Sequence, residues 1–153
     1  MSLLKVESHI KIDRSPSAVF DFISSPANWA GLHPGSKQII GEGVQTSAKT
    51  GTRFIEIIDD GNGVKFNAHW VVTRSIKDEF FQFQFPSDYS HSLFHEIVIT
   101  YDVSQNDDGS TAFTRRMVSW TKPGVDITPL CSFYINDLHN EYVAAVKARV
   151  EGN

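Results

Sequence analysis

The sequence predicts an α+β fold in which a curved antiparallel sheet of seven strands wraps around one long C-terminal helix, with two short helices after strand one. Three observations predict it. Apolar residues alternate with a period of two through much of residues 4–120. Turn-forming clusters interrupt that stretch at hairpin spacing, which makes neighbouring strands antiparallel. After Pro129 the apolar period changes to that of a helix.

The elements follow in order. Residues 4 to 12 form a strand, with Leu4, Val6, Ile10 and Ile12 on one parity and Lys5, Glu7 and Lys11 on the other. Ser15 can cap a helix that Pro16 opens at no cost, and Val19, Phe20, Phe22 and Ile23 make its apolar side. Pro26 ends that helix and begins a short second one through Trp29, followed by a turn at Leu32-His33-Pro34-Gly35. Lys37 to Val44 is a strand softened by Gly41 and Gly43, and Thr52 to Ile58 is a firmer one. Asp59-Asp60-Gly61-Asn62-Gly63 turns the chain into a long strand, Val64 to Ile76. A tight loop at Lys77-Asp78 leads to Phe80-Phe81-Gln82-Phe83-Gln84-Phe85, which alternates until Pro86 stops it. Residues 92 to 103 and Thr111 to Trp120 are the last strands, joined through Asn106-Asp107-Asp108-Gly109. Leu130, Tyr134, Leu138, Tyr142 and Ala145 then recur at helical spacing, with Ile135 and Val146 on the flank. Asn136, Asp137, Asn140, Glu141 and Lys147 take the other side of a helix of about 20 residues that ends near Glu151-Gly152.

A chain of 153 residues suits a single domain, 1–153, that buries roughly 68% of its unfolded surface. A sheet this wide must curl, and only the final helix is long enough to cover its inner face. The gap between a curled sheet and a straight helix is a natural pocket. Eleven Phe, three Trp and four Tyr suit pocket walls. The net charge of −4 comes with no cluster of Lys or Arg, which argues against nucleic acid and anionic membrane surfaces as partners. No segment has the roughly 20 apolar residues of a membrane span, and the N-terminus alternates too soon for a signal peptide, so membrane insertion is not expected and the cytoplasm is the expected location. The one cysteine, Cys131, excludes an internal disulfide and reads as a small core residue.

The run Ile10-Lys11-Ile12-Asp13-Arg14-Ser15-Pro16-Ser17-Ala18-Val19-Phe20-Asp21-Phe22-Ile23, continued by Ser25-Pro26-Ala27-Asn28-Trp29 and Leu32-His33-Pro34, resembles the first strand and helix pair of the Bet v 1-like superfamily, also called START-like or SRPBCC. The similarity looks closest to its polyketide cyclase/dehydrase and lipid-transport branch. Gly51-Thr52-Arg53-Phe54 resembles the start of that family's third strand, and Gly109-Ser110-Thr111 the turn into its seventh. The resemblance spans nearly the whole chain and implies the helix-grip fold. It carries no catalytic signature, because the matched residues are packing and turn elements. Relatives include hydrophobic-ligand carriers, aromatic cyclases, hormone receptors and co-chaperone domains.

Strand and helix phasing nominates a binding site of Trp70, Phe83, His95, Ile97, Ile99, Tyr101, Phe113, Arg115, Met117, Tyr134, Leu138 and Tyr142. Phe66, Ala68, Val72, Phe81, Phe85, Leu93 and Val103 share the inward parity. Arg115 is the conspicuous member, since a guanidinium on an apolar face needs an acid, solvent or a polar ligand group. Glu56 is a possible internal partner, and Glu96 a poor one because its parity differs. The leading functional expectation is binding or carriage of a small lipophilic or aromatic molecule by a monomer or homodimer. One alternative is a polyketide cyclase/dehydratase-type enzyme, for which Tyr101, His95 and Arg115 are the acid–base candidates. The other is a protein-interaction or co-chaperone-like domain. No cofactor and no metal are expected: His91 and His95 stand roughly 13 Å apart along a regular strand, and His9, His33, His69 and His139 are scattered without a ligand motif.

Overall fold

The computed structural model describes residues 1–32, 35–59, 61, 63, 65–134 and 136–152. The expected roles of His33, Pro34, Asp60, Asn62, Val64 and Ile135 lie outside the described residues. Seven strands form one sheet: β1 (Leu3–Ile12), β2 (Ser36–Ile40), β3 (Arg53–Asp59), β4 (Lys65–Ile76), β5 (Phe80–Gln84), β6 (Phe94–Gln105) and β7 (Thr111–Thr121). Their spatial order is β1-β7-β6-β5-β4-β3-β2, and every pair is antiparallel. The chain thus leaves β1, lays down β2 to β7 as a meander, and brings β7 back beside β1.

Between β1 and β2 lie helix α1 (Pro16–Ile23) and a 3-10 turn, Pro26–Asn28. Ser15 caps α1 by accepting from the Ala18 amide at 3.3 Å. Trp29 follows the turn, 2% exposed, with its indole N–H bonded to the Ile23 carbonyl at 2.9 Å. It stacks on Phe83 at 4.8 Å and meets Phe54 and Tyr101 edge-on, so this segment plugs one end of the sheet with an aromatic cluster. The β4–β5 hairpin turns through Asp78, whose φ of 64° an Asp tolerates better than most residues.

The expected C-terminal helix has two parts. A 3-10 segment, Thr128–Tyr134, precedes the α-helix α2, Asn136–Glu151. The helix ends where expected, and it buries His139, Tyr142, Val143, Val146 and Val150 against the concave side of the sheet. It lies nearest β1, and Lys147 donates to the Lys11 carbonyl at 2.9 Å. β2 is shorter than the expected strand because the chain leaves the sheet at Gly41. Cys131 is exposed rather than in the core, since it sits on the outer side of the 3-10 segment.

Candidate functional site

The concave face of the sheet and the segment leading into α2 enclose a cavity. About 50 Å3 inside it is open to the centre of a water molecule, several times what a single water needs by that measure. Alternation along each strand supplies the wall: Glu56 and Ile58 from β3, Phe66 and Trp70 from β4, Phe83 from β5, and Arg115 and Met117 from β7. Phe94, Ile97, Ile99 and Tyr101 come from β6, and Ser36 from β2. Trp29 closes one end, while Leu130, Tyr134, His139 and Tyr142 close the side under the 3-10 segment and α2.

The polar groups of this apolar space form two sets. In the first, the Glu56 carboxylate accepts from Ser36 Oγ at 2.7 Å and from Trp70 Nε1 at 3.2 Å. Burial pushes its pKa above the ordinary carboxyl value and outweighs the opposing pull of those two bonds and of the Arg115 charge. In the second set, Arg115 Nη1 lies 2.7 Å from His139 Nδ1. Arginine can only donate, so Nδ1 accepts and the imidazole keeps its proton on Nε2. The guanidinium carbon sits 4.9 Å from the centre of the Tyr142 ring, a cation–π contact. The Tyr142 hydroxyl is 3.0 Å from that of Tyr101, and Tyr101 is the direct cross-strand neighbour of Arg115.

Burial raises the pKa of all three phenols in the wall: Tyr101, Tyr142 and, to about 12, Tyr134. Tyr134 donates to Ser119 Oγ at 2.6 Å. The phenols therefore remain protonated hydrogen-bond donors at ordinary pH. Arg115 is 7% exposed, and among the described residues no carboxylate lies within 4.0 Å of it. Its Nε is buried without a hydrogen-bond partner among them. No group of His, Cys, Asp and Glu among the described residues could hold a metal ion, and no helix among them is long and apolar enough to cross a membrane.

Nine of the twelve nominated residues line this cavity: Trp70, Phe83, Ile97, Ile99, Tyr101, Arg115, Met117, Tyr134 and Tyr142. Three do not. His95 is exposed, because a bulge in β6 between Phe94 and Glu96 resets the alternation and turns Phe94 inward instead. The Glu96 carboxylate stabilises that bulge by accepting from the Phe85 and Ile97 amides at 2.9 and 3.1 Å, so it is not a partner for Arg115. Phe113 is buried but packs on Tyr101 beyond the cavity, with ring centres 5.6 Å apart. Leu138 is half-buried on the flank of α2, and its neighbour His139 takes the inward position. The acid–base trio of Tyr101, His95 and Arg115 is therefore not assembled. The polar residues that join Arg115 and Tyr101 in the wall are Ser36, Glu56, Tyr134, His139 and Tyr142.

Comparison with known proteins agrees with this architecture. Residues 4–151 match the family model described as polyketide cyclase / dehydrase and lipid transport. The chain is 36% identical, over 152 residues and 99% of each chain, to penitrem biosynthesis cluster 1 protein I of Penicillium ochrochloron. A START superfamily protein from Mycobacterium smegmatis superimposes with a TM-score of 0.72 at 11% identity over 97% of both chains. The di-domain ARO/CYC BexL from the BE-7585A biosynthetic pathway superimposes with a TM-score of 0.73 at 12% identity, covering 99% of this chain and 51% of that one. At such identities the two structures establish the shared helix-grip fold alone.

Proposed function

The chain belongs to the polyketide cyclase/dehydrase and lipid-transport family, and we propose that it is an enzyme of the cyclase/dehydratase type, acting by general acid–base catalysis on a small, mostly apolar biosynthetic intermediate. The observation that carries this reading is the Glu56 carboxyl, set inside an apolar cavity that also holds Arg115 and the paired hydroxyls of Tyr101 and Tyr142. A carrier of wholly apolar molecules needs apolar walls only. A carboxyl and a guanidinium that share a cavity without a salt bridge cost several kcal/mol, and such an arrangement is useful where charge develops during a reaction. The similarity to a protein named for a biosynthesis cluster supports a step in small-molecule assembly.

The chemistry follows from what each group can do. The Glu56 carboxylate takes a proton from a carbon next to a substrate carbonyl, and the electron pair moves onto the carbonyl oxygen. The tyrosine hydroxyls and Arg115 stabilise the enolate that results. In a dehydration the bond to a β-hydroxyl then breaks, the protonated Glu56 returns its proton to the departing oxygen, and water leaves. In a cyclisation the enolate carbon attacks a second carbonyl, and Glu56 protonates the alkoxide that forms. Neither sequence needs an oxidant. Ser36 can follow the proton, since its hydroxyl donates to a carboxylate and accepts from a carboxylic acid by rotating.

The test uses the compound that accumulates when the gene is deleted in its host. Wild-type protein is expected to convert that compound to a product of equal mass or of mass smaller by one water. Glu56→Gln is expected to fold and to be slower by roughly 100-fold or more. Retention of the compound unchanged by the wild-type protein overturns the enzymatic reading in favour of carriage.

A further inference from the structure

We propose that Arg115 is an oxyanion anchor and that the substrate presents it with a carboxylate, enolate or phenolate oxygen. This rests on reading the cavity as the substrate site, and it names the substrate class.

Arg115 projects from β7 into a wall that is otherwise mostly apolar. Its cationic charge persists at every ordinary pH. Its contacts within the described residues hold the group without neutralising it: His139 Nδ1 accepts from Nη1 at 2.7 Å, and the Tyr142 ring covers one face at 4.9 Å. Both partners are uncharged. Nη1 is the guanidinium nitrogen on the Cδ side, so these two contacts do not occupy the opposite edge, where Nε has no partner among the described residues; the guanidinium also interacts with the Tyr101 hydroxyl, likewise uncharged. The Nε edge is the one that grips both oxygens of a carboxylate.

Two buried polar side-chain atoms without a partner coincide at this place. One is Arg115 Nε, and the other is the hydroxyl of Ser8. Ser8 is the residue paired with Arg115 across the β1–β7 ladder. Buried polar atoms are rarely left unsatisfied; of these two, Arg115 Nε belongs to a residue of the cavity wall, while Ser8 is its neighbour on β1 and is not among the lining residues. A negative guest cancels the unpaired cation, which a neutral one cannot do. Tyr101, opposite Arg115 on β6, places a phenol beside the same oxygen. Glu56 stands beyond salt-bridge distance on β3, so the acid–base group and the anchor can engage different parts of one molecule.

The test is a matched pair of probes, 2-naphthoate and its neutral isostere 2-naphthamide, titrated calorimetrically into wild type, Arg115→Met, Arg115→Lys and Glu56→Gln, with folding checked by circular dichroism. Wild type is expected to favour the carboxylate. R115M is expected to bind the carboxylate roughly 10- to 100-fold more weakly, the worth of a charged hydrogen bond, while its affinity for the amide changes less than about threefold. R115K keeps the charge and lacks the planar edge, so it is expected to show an intermediate preference even if R115M does not fold. Equal binding of the two probes by wild type, binding of neither, or a folded R115M with undiminished affinity for the carboxylate each overturns the anchor. E56Q separates this proposal from the catalytic one. A carboxylate preference in wild type and E56Q, without any turnover by wild type, keeps the anchor and removes the acid–base mechanism. Turnover that depends on Glu56 without a carboxylate preference does the reverse.

Discussion

Glu56 shares the inward face of β3 with Phe54 and Ile58, and the fold bears the cost of that placement. Burial raises its pKa, so the folded state binds this proton more tightly than the unfolded chain does. Stability from that difference is fully present below the ordinary carboxyl pKa of about 4.3 and is lost as pH rises through the folded value. Urea unfolding across pH 4–8 is therefore expected to show E56Q gaining on wild type as pH increases, and parallel curves would contradict the buried placement. His91 titrates with the opposite sign. Its ring, 5% exposed, stacks on Phe85, and its Nδ1 accepts from the Leu93 amide at 3.0 Å. Burial first, and the charge of Lys122 second, lower its pKa to about 4. The unfolded chain binds that proton more readily, so stability is lost as pH falls from about 6.5 toward 4, by about 3 kcal/mol at most. His91→Phe is expected to flatten that part of the stability curve.

At the scale of the element, the β6 bulge decides which side chain enters the cavity. Phe94 is 3% exposed and His95 lies outside. Phe94→Ala is expected to cost about 3–5 kcal/mol, while His95→Ala is expected to stay within about 0.5 kcal/mol and to leave probe binding unchanged. The reverse pattern in denaturant titrations would show an unbulged register. This bulge also marks where sequence reading stops. Uninterrupted alternation placed Trp70, Phe83, Arg115 and Met117 on the cavity face, because β4, β5 and β7 keep their parity there. It misplaced His95, because a bulge has no signature in a run such as Leu93-Phe94-His95-Glu96-Ile97. Glu56 entered only as a possible partner of Arg115 and not as a wall residue, because Phe54, Ile55, Ile57 and Ile58 flank it on both parities, which leaves the inner face of β3 ambiguous. His139 was missed for a geometric reason. A 3-10 helix turns about 20° more per residue than an α-helix, so a stripe extended from Leu130 and Tyr134 loses phase before α2 and selects Leu138 in place of His139.

The whole molecule sets where a guest can enter. Each neighbouring pair of strands from β1 to β2 is hydrogen-bonded, with bulges or irregularities in β2, β4 and β6. Trp29 closes one end within an aromatic cluster and is fixed by its bond to Ile23. Helix α2 is held by an inward row of His139, Tyr142, Val143, Val146 and Val150. Among the described residues, the 3-10 segment Thr128–Tyr134 adds Leu130 and Tyr134 to the wall. Its hydrogen-bond geometry is poorer than that of an α-helix, and displacing it breaks no strand pairing. Local opening should therefore cost least there. With only about 50 Å3 open to water centres, a ring-sized guest also requires the wall to give. Hydrogen exchange is expected to show the amides of this segment at least tenfold less protected than those of residues 142–150 in α2, with 2-naphthoate slowing them selectively. Exchange in Thr128–Tyr134 as slow as in β6 and β7, or naphthoate protection confined to β2 and β3, would place the entrance elsewhere.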